Sequence, residues 1–566
     1  MTEQTISVGG YLATRLQQLG IGHLFGLPGD FNLGLLDELL GAGRGPVPLR
    51  WIGSSNELNA GYAADGYARI RRGPAAVVTT YGVGELSLVN ALAGSFAEDV
   101  PVVSIVGMPS TAAQSAGLLL HHSLADGDHG HFVRIAAEVC AEAVVVRAEH
   151  AARTIDRVLR RAVDSSKPVY LGVPADVARV PVNAAALARP LRLLRSDVEA
   201  AAEFRAALTE HLSGSTGLTV LAGPRLHRRH LEDRVRAVAA HGGVRVATQS
   251  ASKAMLDESH PATLGVYAGE FTVAPATRAA VDGAAAGGTE RLVLAGVVLT
   301  DFLTGRFTHG FDPDAVVDLQ LDHARVAGAE FHGVHLEESL GILEEIVAAR
   351  TGAVTARAEV RASSARPITG DAPLAHAEFW PILQDWLAPG TLLVAEAGTS
   401  FYGALELTLP DGCDLLGQPV WSSIGYTLPA ALGAVLAAPD RETVLLIGDG
   451  SAQLTVNELG RLLEQGSRTT GPAPTIFLLN NEGYTVERAI ASPEAVYQDV
   501  LAWNWTQLPA ALGAPATAVF RAATSADLTK VLAERRADPQ RPALIEVVLP
   551  RDDAPELLKV LARSIR

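Results

Sequence analysis

The stretch VLLIGDGSAQLTVNELGRLLEQGSRTTGPAPTIFLLNNEGYTVE, residues 444–487, decides the fold of the last third of this chain. It begins with a short apolar run that stops at Gly448-Asp449-Gly450, which is typical of a buried parallel strand ending in a turn. Leucines then recur at helical spacing up to Gly466, and a second apolar run, residues 476–479, follows. The pattern predicts a strand–helix–strand unit in which Gly466 closes the helix.

The two predicted strands end in polar residues that suit a metal and a phosphate. A right-handed crossover brings Asp449 and Asn481 to the same carboxyl edge of a parallel sheet, where open α/β sheets bind ligands. One carboxylate, carboxamide oxygens and backbone carbonyls near Gly483 suit a hard cation such as Mg²⁺. Gly450 would let the backbone approach a phosphate closely at a helix start. Taken singly, each piece is also compatible with an ordinary Gly-Asp-Gly turn or an Asn-rich loop.

The spacing of these two pieces resembles a known cofactor motif. Gly-Asp-Gly, the intervening residues 451–479 and Asn-Asn are similar to the thiamine-diphosphate (ThDP) motif of ThDP-dependent enzymes. NNEGYTVERAI, residues 480–490, resembles the decarboxylases of pyruvate, indolepyruvate, phenylpyruvate and branched-chain 2-keto acids. The resemblance implies that Asp449, Asn481 and the Gly483 carbonyl hold Mg²⁺, which holds the diphosphate. It also implies that Glu487 faces the substrate.

Length and composition exclude several classes of protein. The 566 residues predict about three domains at roughly 150 residues each. The net charge of −16, with scattered basic residues, argues against nucleic acid and membrane partners. Two cysteines without a CxxC motif fit a reducing cytoplasm rather than a disulfide scaffold or a zinc site. We expect neither a membrane span nor a signal peptide, because long charge-free apolar runs are absent from the sequence.

Helix and strand signals alternate along the chain in three blocks. We therefore expect an α/β protein with three doubly wound parallel-sheet domains, covering residues 1–185, 197–350 and 373–566. Residues 186–196 and 352–372 read as linkers. The resemblance implies that the three blocks are the pyrimidine-binding, middle and diphosphate-binding domains. In the middle block, Ser252-Lys253 is only a weak nucleotide signal, because no Gly-rich phosphate loop accompanies it.

Glu57 lies in GSSNELNAGYAADGYAR, residues 53–69, and has two interpretations. Ser54 and Glu57 match the capping box S-x-x-E before a helix. The resemblance implies instead that Glu57 hydrogen-bonds N1′ of the aminopyrimidine ring and so activates the cofactor. That role needs a carboxyl group in a poorly solvated place, which also tunes its pKa.

The paired histidines His121-His122 lie in LLLHHSLADGDHGHF, residues 118–132. An extended backbone would point the two rings to opposite sides, so that one meets the substrate and the other orients it. A zinc site with His129 and His131 is an alternative that no cysteine or carboxylate spacing supports. The pair resembles the paired histidines of the pyruvate and indolepyruvate decarboxylases.

Asp30, in GLPGDFN at residues 26–32, matches the acid–base aspartate of the same family. By itself, Pro-Gly-Asp favours an Asx turn. The resemblance implies that Asp30, His122 and Glu487 handle protons and that His121 orients.

Two further segments, residues 394–402 and 421–426, resemble loops that hold the diphosphate and the pyrimidine. Ile424 would be the apolar wedge that keeps the cofactor bent and its reacting groups close together, although such an isoleucine is ordinarily a core residue. Ser422 stands where the family usually has glycine, but the contact it makes is through a backbone carbonyl. The resemblance assigns these residues to the cofactor: Glu57, Thr399, Ser400, Ser422, Ile424, Gly448, Asp449, Gly450, Ser451, Asn481, Gly483 and Tyr484.

The expected substrate pocket contains Phe302, Phe401, Val486 and Ile490. Val486 and Phe401 resemble the larger-substrate decarboxylases, whereas Phe302 works against a roomy pocket because a small or hydroxyl residue is expected there. We expect a branched-chain or aromatic 2-keto acid to be converted to an aldehyde and CO₂ with ThDP and Mg²⁺. Alternatives are a pyruvate decarboxylase or a ThDP-dependent carboligase similar to acetolactate synthase.

The resemblance also predicts the oligomeric state. In this family the cofactor site lies between two chains, so a homodimer is the minimum active unit and a homotetramer is expected. A nicotinamide-dependent oxidoreductase is disfavoured, because the sequence has no G-x-G-x-x-G after a strand with an acidic residue about 20 positions later.

Overall fold

The structure is a computed structural model that describes residues 5–41, 49–286, 288–349 and 372–565. The chain divides into two compact units: a first unit of Met1–Leu194 and Pro429–Ala438, and a second unit of Arg195–Leu428 and Pro439–Arg566. The first unit contains one large sheet and the second contains two, all mostly parallel, which confirms the predicted fold class. The predicted linker 352–372 lies outside the described residues apart from Ala372.

The first unit is built on a six-stranded parallel sheet and a short antiparallel pair. Its strands are β1 (Thr5–Ser7), β2 (His23–Gly26), β3 (Arg50–Gly53), β4 (Ala75–Thr80), β5 (Val102–Met108), β6 (Glu142–Val145), β7 (Val169–Pro174) and β8 (Pro181–Asn183). Its helices are α1 (Val8–Gln18), α2 (Leu33–Gly41), α3 (Glu57–Arg71), α4 (Val83–Ala97), α5 (Thr111–Ser115), α6 (His131–Val139) and α7 (Ala151–Ser165).

The large sheet of the first unit has the order β3-β2-β4-β5-β7-β6, while β1 pairs only with β8. Every residue of β4, β5 and β7 is buried. Strands buried on both faces read as continuous apolar runs, which is why these three were predictable from the sequence.

The middle sheet belongs to the second unit. Its strands are β9 (Gly217–Ala222), β10 (Val244–Thr248), β11 (Thr263–Val266), β12 (Glu290–Ala295), β13 (Val317–Leu319), β14 (His323–Val326) and β15 (Ala329–His332). Its helices are α8 (Val198–Leu212), α9 (Pro224–Arg228), α10 (Glu232–Ala239), α11 (Pro275–Ala285) and α12 (Leu336–Ala348).

The middle sheet has the order β11-β10-β9-β12-β13-β14-β15. Its first five strands are parallel, but β13-β14 and β14-β15 pair antiparallel, a hairpin that the sequence did not predict. Ala327 and Gly328 join β14 to β15 with φ of 46° and 87°. Two successive positive φ angles match the twist of a two-residue hairpin turn.

The third sheet also belongs to the second unit. Its strands are β16 (Leu392–Ala395), β17 (Asp414–Leu416), β18 (Thr443–Gly448), β19 (Thr475–Asn480), β20 (Ala518–Ala522) and β21 (Ala543–Val548). The helices of this part of the chain are α13 (His376–Trp386), α14 (Thr399–Glu406), α15 (Thr427–Ala437), α16 (Asp449–Thr455), α17 (Leu459–Gly466), α18 (Thr485–Ile490), α19 (Leu508–Ala511), α20 (Ser525–Ala537) and α21 (Glu556–Ile565). The strand order is β17-β16-β18-β19-β21-β20, parallel throughout.

The strand–helix–strand unit predicted from residues 444–487 is confirmed, with two differences. β18 and β19 are parallel neighbours, and Gly448 pairs with Leu479, so both strands end at one edge. The helix begins at Asp449, immediately after the strand, rather than beyond an extended turn. Gly466 ends α17 without a left-handed φ, and a methyl group there would lie 2.5 Å from Pro474 Cγ. Close packing, not capping geometry, therefore requires this glycine.

In the parts of the chain that the structure describes, every helix is too short or too polar to cross a lipid bilayer.

Candidate active site

A cleft lies at the carboxyl ends of β16, β18 and β19, within the second unit. It encloses about 900 Å³ of empty space, part of which is open to solvent. Its wall contains the residues assigned to the cofactor in this unit, namely Thr399, Ser400, Ser422, Ile424, Gly448, Asp449, Gly450, Ser451, Asn481, Gly483 and Tyr484. Of the expected substrate residues, Phe302, Phe401, Val486 and Glu487 line the cleft and Ile490 does not.

The polar end of the cleft is formed by a buried carboxylate and a carboxamide. Asp449 is 2% exposed, and its Oδ1 accepts a hydrogen bond from Gly450 N at 2.9 Å. Burial raises the pKa of Asp449 to about 6, although backbone N–H groups oppose the shift. In the structure the side-chain oxygen of Asn481 faces two other acceptors, Asp449 Oδ1 and Gly483 O. With the amide turned over, its nitrogen would donate to them at 3.1 Å and 2.8 Å, and its oxygen would accept from Thr485 Oγ1 at 2.8 Å.

These groups fit a hard divalent cation. The side-chain oxygen of Asn481 and the oxygens of Asp449 and Gly483 converge on one point. An ionised carboxylate buried without a cationic partner is costly, and a metal ion would relieve that cost. The present orientation of the Asn481 amide gives the oxygen-only ligand set that Mg²⁺ prefers, and a cation at this point would offset the repulsion between the three oxygens.

The turn that carries Asn481 needs glycine at position 483. Gly483 has φ of 141°, and a methyl group there would lie 2.2 Å from Gln498 O. The same carbonyl of Gln498 accepts a hydrogen bond from Tyr484 N at 2.9 Å. This contact holds the turn in place and explains why a side chain is excluded.

The opposite end of the cleft is aromatic and apolar. The Phe302 ring lies 5.9 Å from the Phe401 ring and 5.7 Å from the Tyr402 ring, centroid to centroid. Burial raises the pKa of Tyr402 to about 12, and the nearby Glu487 adds to the shift. Glu487 therefore lies beside Tyr402 and next to Val486, at the apolar end.

Ser422 and Ile424 both line the cleft. Ser422 has φ of 53°, a left-handed conformation that explains why glycine is usual at this place. Its N donates to Gln418 O at 2.9 Å and its hydroxyl donates to Pro419 O at 3.1 Å, which stabilises the conformation for serine. Ile424 is only partly buried and lines the cleft, so the ordinary core interpretation does not hold.

Glu396 was missed as a functional residue in the sequence. It is 1% exposed, and burial raises its pKa to about 7. Oε2 accepts from Thr427 Oγ1 at 2.6 Å, and Oε1 accepts from Ala397 N at 3.0 Å. Glu396 thus joins the end of β16 to the start of α15, on either side of the cofactor loops. An acidic residue directly after an apolar strand was the signal that could have found it.

Glu57 begins helix α3 in the first unit. The N-cap is Asn56, whose Oδ1 accepts from Asn59 N at 2.8 Å, so the predicted Ser54 capping box is wrong. Ser54 Oγ has no hydrogen-bond partner among the described residues. Glu57 is partly buried, and burial raises its pKa. A methyl group at Gly84 would lie 3.0 Å from Glu57 Oε1, so Gly84 leaves room for the carboxyl group.

The paired histidines are also in the first unit, beside Asp30. His121 Nε2 lies 2.7 Å from Asp30 Oδ2, and the His121 and His122 rings are 4.6 Å apart. The prediction that the two rings point to opposite sides is wrong, because His122 has φ of 63° and lies in a turn. At the Pro-Gly-Asp segment the described side-chain bond to the backbone comes from Asn32, whose Oδ1 accepts from Gly29 N at 2.9 Å, while Asp30 Oδ2 contacts His121.

Phe31 and Gly82, the N-cap of α4, position the turn at His122. The Phe31 ring stacks on His121 at 4.9 Å and meets His122 edge-on at 6.1 Å. Gly82, with φ of 66°, lies so close that a methyl group there would overlap the His122 carbonyl oxygen at 1.8 Å. His122 Nδ1 is buried and has no hydrogen-bond partner among the described residues.

His129 and His131 do not join this cluster, which contradicts the zinc alternative built on them. His129 Nε2 contacts Leu118 O, and His131 Nε2 contacts Asp126 Oδ2 at 2.7 Å. Among the described residues, the only set of three or more His, Cys, Asp or Glu side chains whose ligand atoms converge is Asp30, His121 and His122.

Comparisons with known proteins agree with these two constellations. Residues 6–131 match the family described as thiamine pyrophosphate enzyme, N-terminal TPP binding domain, and residues 405–547 match its C-terminal TPP binding domain. Thiamine pyrophosphate is another name for ThDP.

Three relatives are each called alpha-keto-acid decarboxylase. The chain is 44% identical to that of Mycolicibacterium paratuberculosis over 567 residues, 99% of this chain and 97% of the relative. It is 44% identical to that of Mycobacterium tuberculosis H37Rv over 577 residues, 100% of this chain and 98% of the relative. It is 43% identical to that of Mycobacterium ulcerans over 567 residues, 100% of this chain and 97% of the relative. The chain therefore belongs to the ThDP-dependent 2-keto acid decarboxylases.

Proposed function

We propose that this enzyme converts branched-chain or aromatic 2-keto acids to aldehydes and CO₂, with Mg²⁺ beside ThDP. One observation carries the proposal, the division of the cleft into two ends. Asp449 and Asn481 form an oxygen-rich end that suits a cation and a diphosphate. Phe401 and Val486 form an apolar end that suits a hydrophobic side chain.

When bound, ThDP supplies a nucleophilic carbon and then accepts the electrons released as CO₂ leaves. Asp449, Asn481 and the Gly483 carbonyl supply oxygen ligands to Mg²⁺, which neutralises the diphosphate. The apolar end excludes water from the reacting carboxylate, and low polarity favours loss of its charge.

Glu57 holds a proton in this mechanism. Its raised pKa favours the protonated carboxyl group, which can donate a hydrogen bond to a ring nitrogen of the cofactor. Gly84 leaves space beside Oε1 for that contact. Asn56 is the N-cap of helix α3, and the Glu57 carboxylate accepts from its own backbone N–H.

Asp30, His122 and Glu487 transfer protons to and from the substrate, and His121 orients. The short contact between His121 Nε2 and Asp30 Oδ2 orients His121, and the adjacent ring of His122 lies 4.6 Å away.

The experiment that tests the substrate class is a panel of pyruvate, 4-methyl-2-oxopentanoate, phenylpyruvate and indolepyruvate with ThDP and Mg²⁺, reading aldehyde release. We expect kcat/KM for the apolar substrates to exceed that for pyruvate by at least about tenfold, because each buried methylene contributes roughly 1–3 kcal/mol. A preference for pyruvate, or acetolactate as the main product, would contradict the proposal.

Phe302 favours the second candidate, a pyruvate decarboxylase, because its ring narrows the apolar end. Replacing Phe302 with alanine should increase the preference for phenylpyruvate over pyruvate. Phe307→Ala is the matched control, since Phe307 is 61% exposed and does not line the cleft. An equal change in both variants would show that the ring has no specific effect on selectivity.

We also propose a homodimer as the minimum active unit, within a homotetramer, in which Glu57 of one chain completes the cleft of its partner. Co-refolded Glu57→Gln and Asp449→Asn chains should then recover about one quarter of wild-type activity. Half of the dimers would be mixed, and each mixed dimer has one unaltered site. Recovery of no activity would exclude a site shared in this way.

We assign residues 1–185 to a pyrimidine-binding domain, 197–350 to a middle domain and 373–566 to a diphosphate-binding domain.

We also propose a cytoplasmic location, which is supported by two free, buried cysteines, Cys140 and Cys413.

A further inference from the structure

A second cavity lies beside the cleft, also within the second unit. It is bounded by β11 of the middle sheet, by α14 and by the C-terminal helix α21. It encloses about 1350 Å³ of empty space, part of it open to solvent, and its lining is mainly apolar. The mechanism described above uses no group that belongs to this cavity alone.

Two buried polar side chains in the cavity have hydrogen-bonding capacity to spare. Ser250 is 2% exposed, and its hydroxyl has no hydrogen-bond partner among the described residues. Lys253 is 3% exposed, and its ammonium has a single described partner, Glu258 Oε1 at 2.5 Å. An ammonium has three N–H donors, so two remain for another acceptor. Buried polar groups without partners are rare in native proteins and indicate a ligand or water.

The charges in the lining disfavour an anionic ligand. Glu258 already balances Lys253, and its Oε2 accepts from Leu409 N at 2.7 Å. Glu406, on the exposed rim, adds a further negative charge and accepts from Leu557 N at 2.6 Å. The cavity thus offers donors without net positive charge, which suits a neutral acceptor and not a carboxylate or a phosphate.

The cavity and the cleft share part of their walls. Phe302 and Tyr402 line both spaces. Leu561 of α21 lines the cavity and belongs to an apolar cluster against which Val486 packs. A molecule in the cavity therefore contacts the same aromatic side chains that border the reacting end of the cleft.

We propose that this cavity is a second small-molecule site that takes a neutral, apolar carbonyl compound. Its carbonyl oxygen accepts hydrogen bonds from Lys253 Nζ and Ser250 Oγ, and its apolar part lies among side chains such as Val266 and Leu561. The aldehyde released by the proposed reaction belongs to this chemical class, and that identification alone rests on the proposed function.

The test uses 4-methyl-2-pentanone, a neutral ketone that cannot be decarboxylated, in a ligand-observed NMR titration of the enzyme loaded with ThDP and Mg²⁺. Ala276 is exposed and lines the cavity, so Ala276→Trp should fill it and raise the Kd at least about tenfold. The matched control is Ala279→Trp, on the same helix but outside the lining. Ser250→Ala, which keeps the volume, should weaken binding about three- to tenfold.

Two comparisons make the outcome decisive. The anion 4-methylpentanoate should bind in the cavity at least about tenfold more weakly than the ketone, because Lys253 is already balanced by Glu258. The proposal is overturned if the ketone does not bind, if Ala276→Trp and Ala279→Trp bind it equally, or if the carboxylate binds more tightly in a way that Ala276→Trp abolishes. Binding is read without turnover, so failure of the decarboxylation assay is a separate result.

Discussion

The cleft of the second unit and the histidine cluster of the first unit place similar chemistry in opposite surroundings. In the cleft, Asp449 and Asn481 are 2% and 3% exposed and are held by neighbouring backbone groups. In the cluster, the side chains of Asp30 and His121 are 52% and 58% exposed. The nearby Leu119 is 67% exposed.

This difference indicates what each region can do within its own unit. Burial perturbs the pKa of Asp449 strongly, and its partners are already in place for a cation. The cluster has a defined Asp30–His121 contact, but the described residues of its unit leave both side chains more than half exposed. Exposed apolar side chains such as Leu119 are typical of surfaces that are covered in an assembly. The proposed dimer would supply that cover.

The largest expected effect separates activation of the cofactor from its binding. Glu57→Gln should lower kcat by about 10³- to 10⁴-fold, the upper range for a positioned proton-transfer group, while ThDP and Mg²⁺ still raise the thermal unfolding midpoint. Ser54→Ala should change kcat less than about twofold, because the Ser54 hydroxyl has no hydrogen-bond partner among the described residues. Full activity of Glu57→Gln would remove Glu57 from the mechanism.

Asp449→Asn should have the reverse pattern. The affinity for Mg²⁺ and ThDP should fall by at least about 100-fold, more than the loss typical of groups that only support a ligand. Without Mg²⁺ the same variant should unfold at a higher temperature, because it removes a buried carboxylate that folding disfavours. Equilibrium dialysis and thermal unfolding in a chelator measure the two effects. Unchanged cofactor affinity would exclude Asp449 as a metal ligand.

Asp30→Asn tests whether the exposed cluster acts in catalysis. We expect kcat to fall by about 100-fold, the lower range for a proton-transfer group, with cofactor affinity unchanged. Asp126→Asn is the matched control, because Asp126 also lies 2.7 Å from a histidine, His131, on the surface. If both substitutions had the same small effect, the contact between Asp30 and His121 would be structural only.

Glu396 should make the stability of the protein depend on pH. Burial raises its pKa from 4.5 to about 7. Between these values the unfolded chain loses this proton while the folded chain keeps it, so stability falls as pH rises from 4.5 to 7 and is then constant. This loss in the free energy of unfolding is at most about 3 kcal/mol. Glu396→Gln should flatten the thermal unfolding midpoint across this window, whereas the exposed Glu199→Gln should not. Equal slopes in both variants would contradict this.

The predictable parts of the fold were those with strong local patterns. The apolar runs of β4, β5, β18 and β19 indicated buried parallel strands, because such strands are apolar on both faces. The hairpin of β14 and β15 was missed, because its short strands are partly exposed and lack that pattern. The antiparallel edge of the middle sheet, β14 and β15, was therefore visible only in the structure.

Residues of the candidate site divide in the same way. The motif residues Asp449 and Asn481 were found because their spacing, each just beyond an apolar run, resembles the ThDP motif. Glu396 was missed, because its main partner is Thr427 in another segment. The orientation of the histidine rings was wrong, because it depends on a positive φ at His122 that no local pattern indicates.

The sequence by itself determined that Asp449 and Asn481 stand at the ends of two neighbouring strands, since buried parallel strands and a right-handed crossover follow from local apolar patterns. Tertiary structure alone decided the environments: the buried Asp449, the Phe302–Phe401 wall and the second cavity around Lys253. The physical reason is that burial and contact between distant segments depend on how elements pack, and packing sets the desolvation that tunes each group.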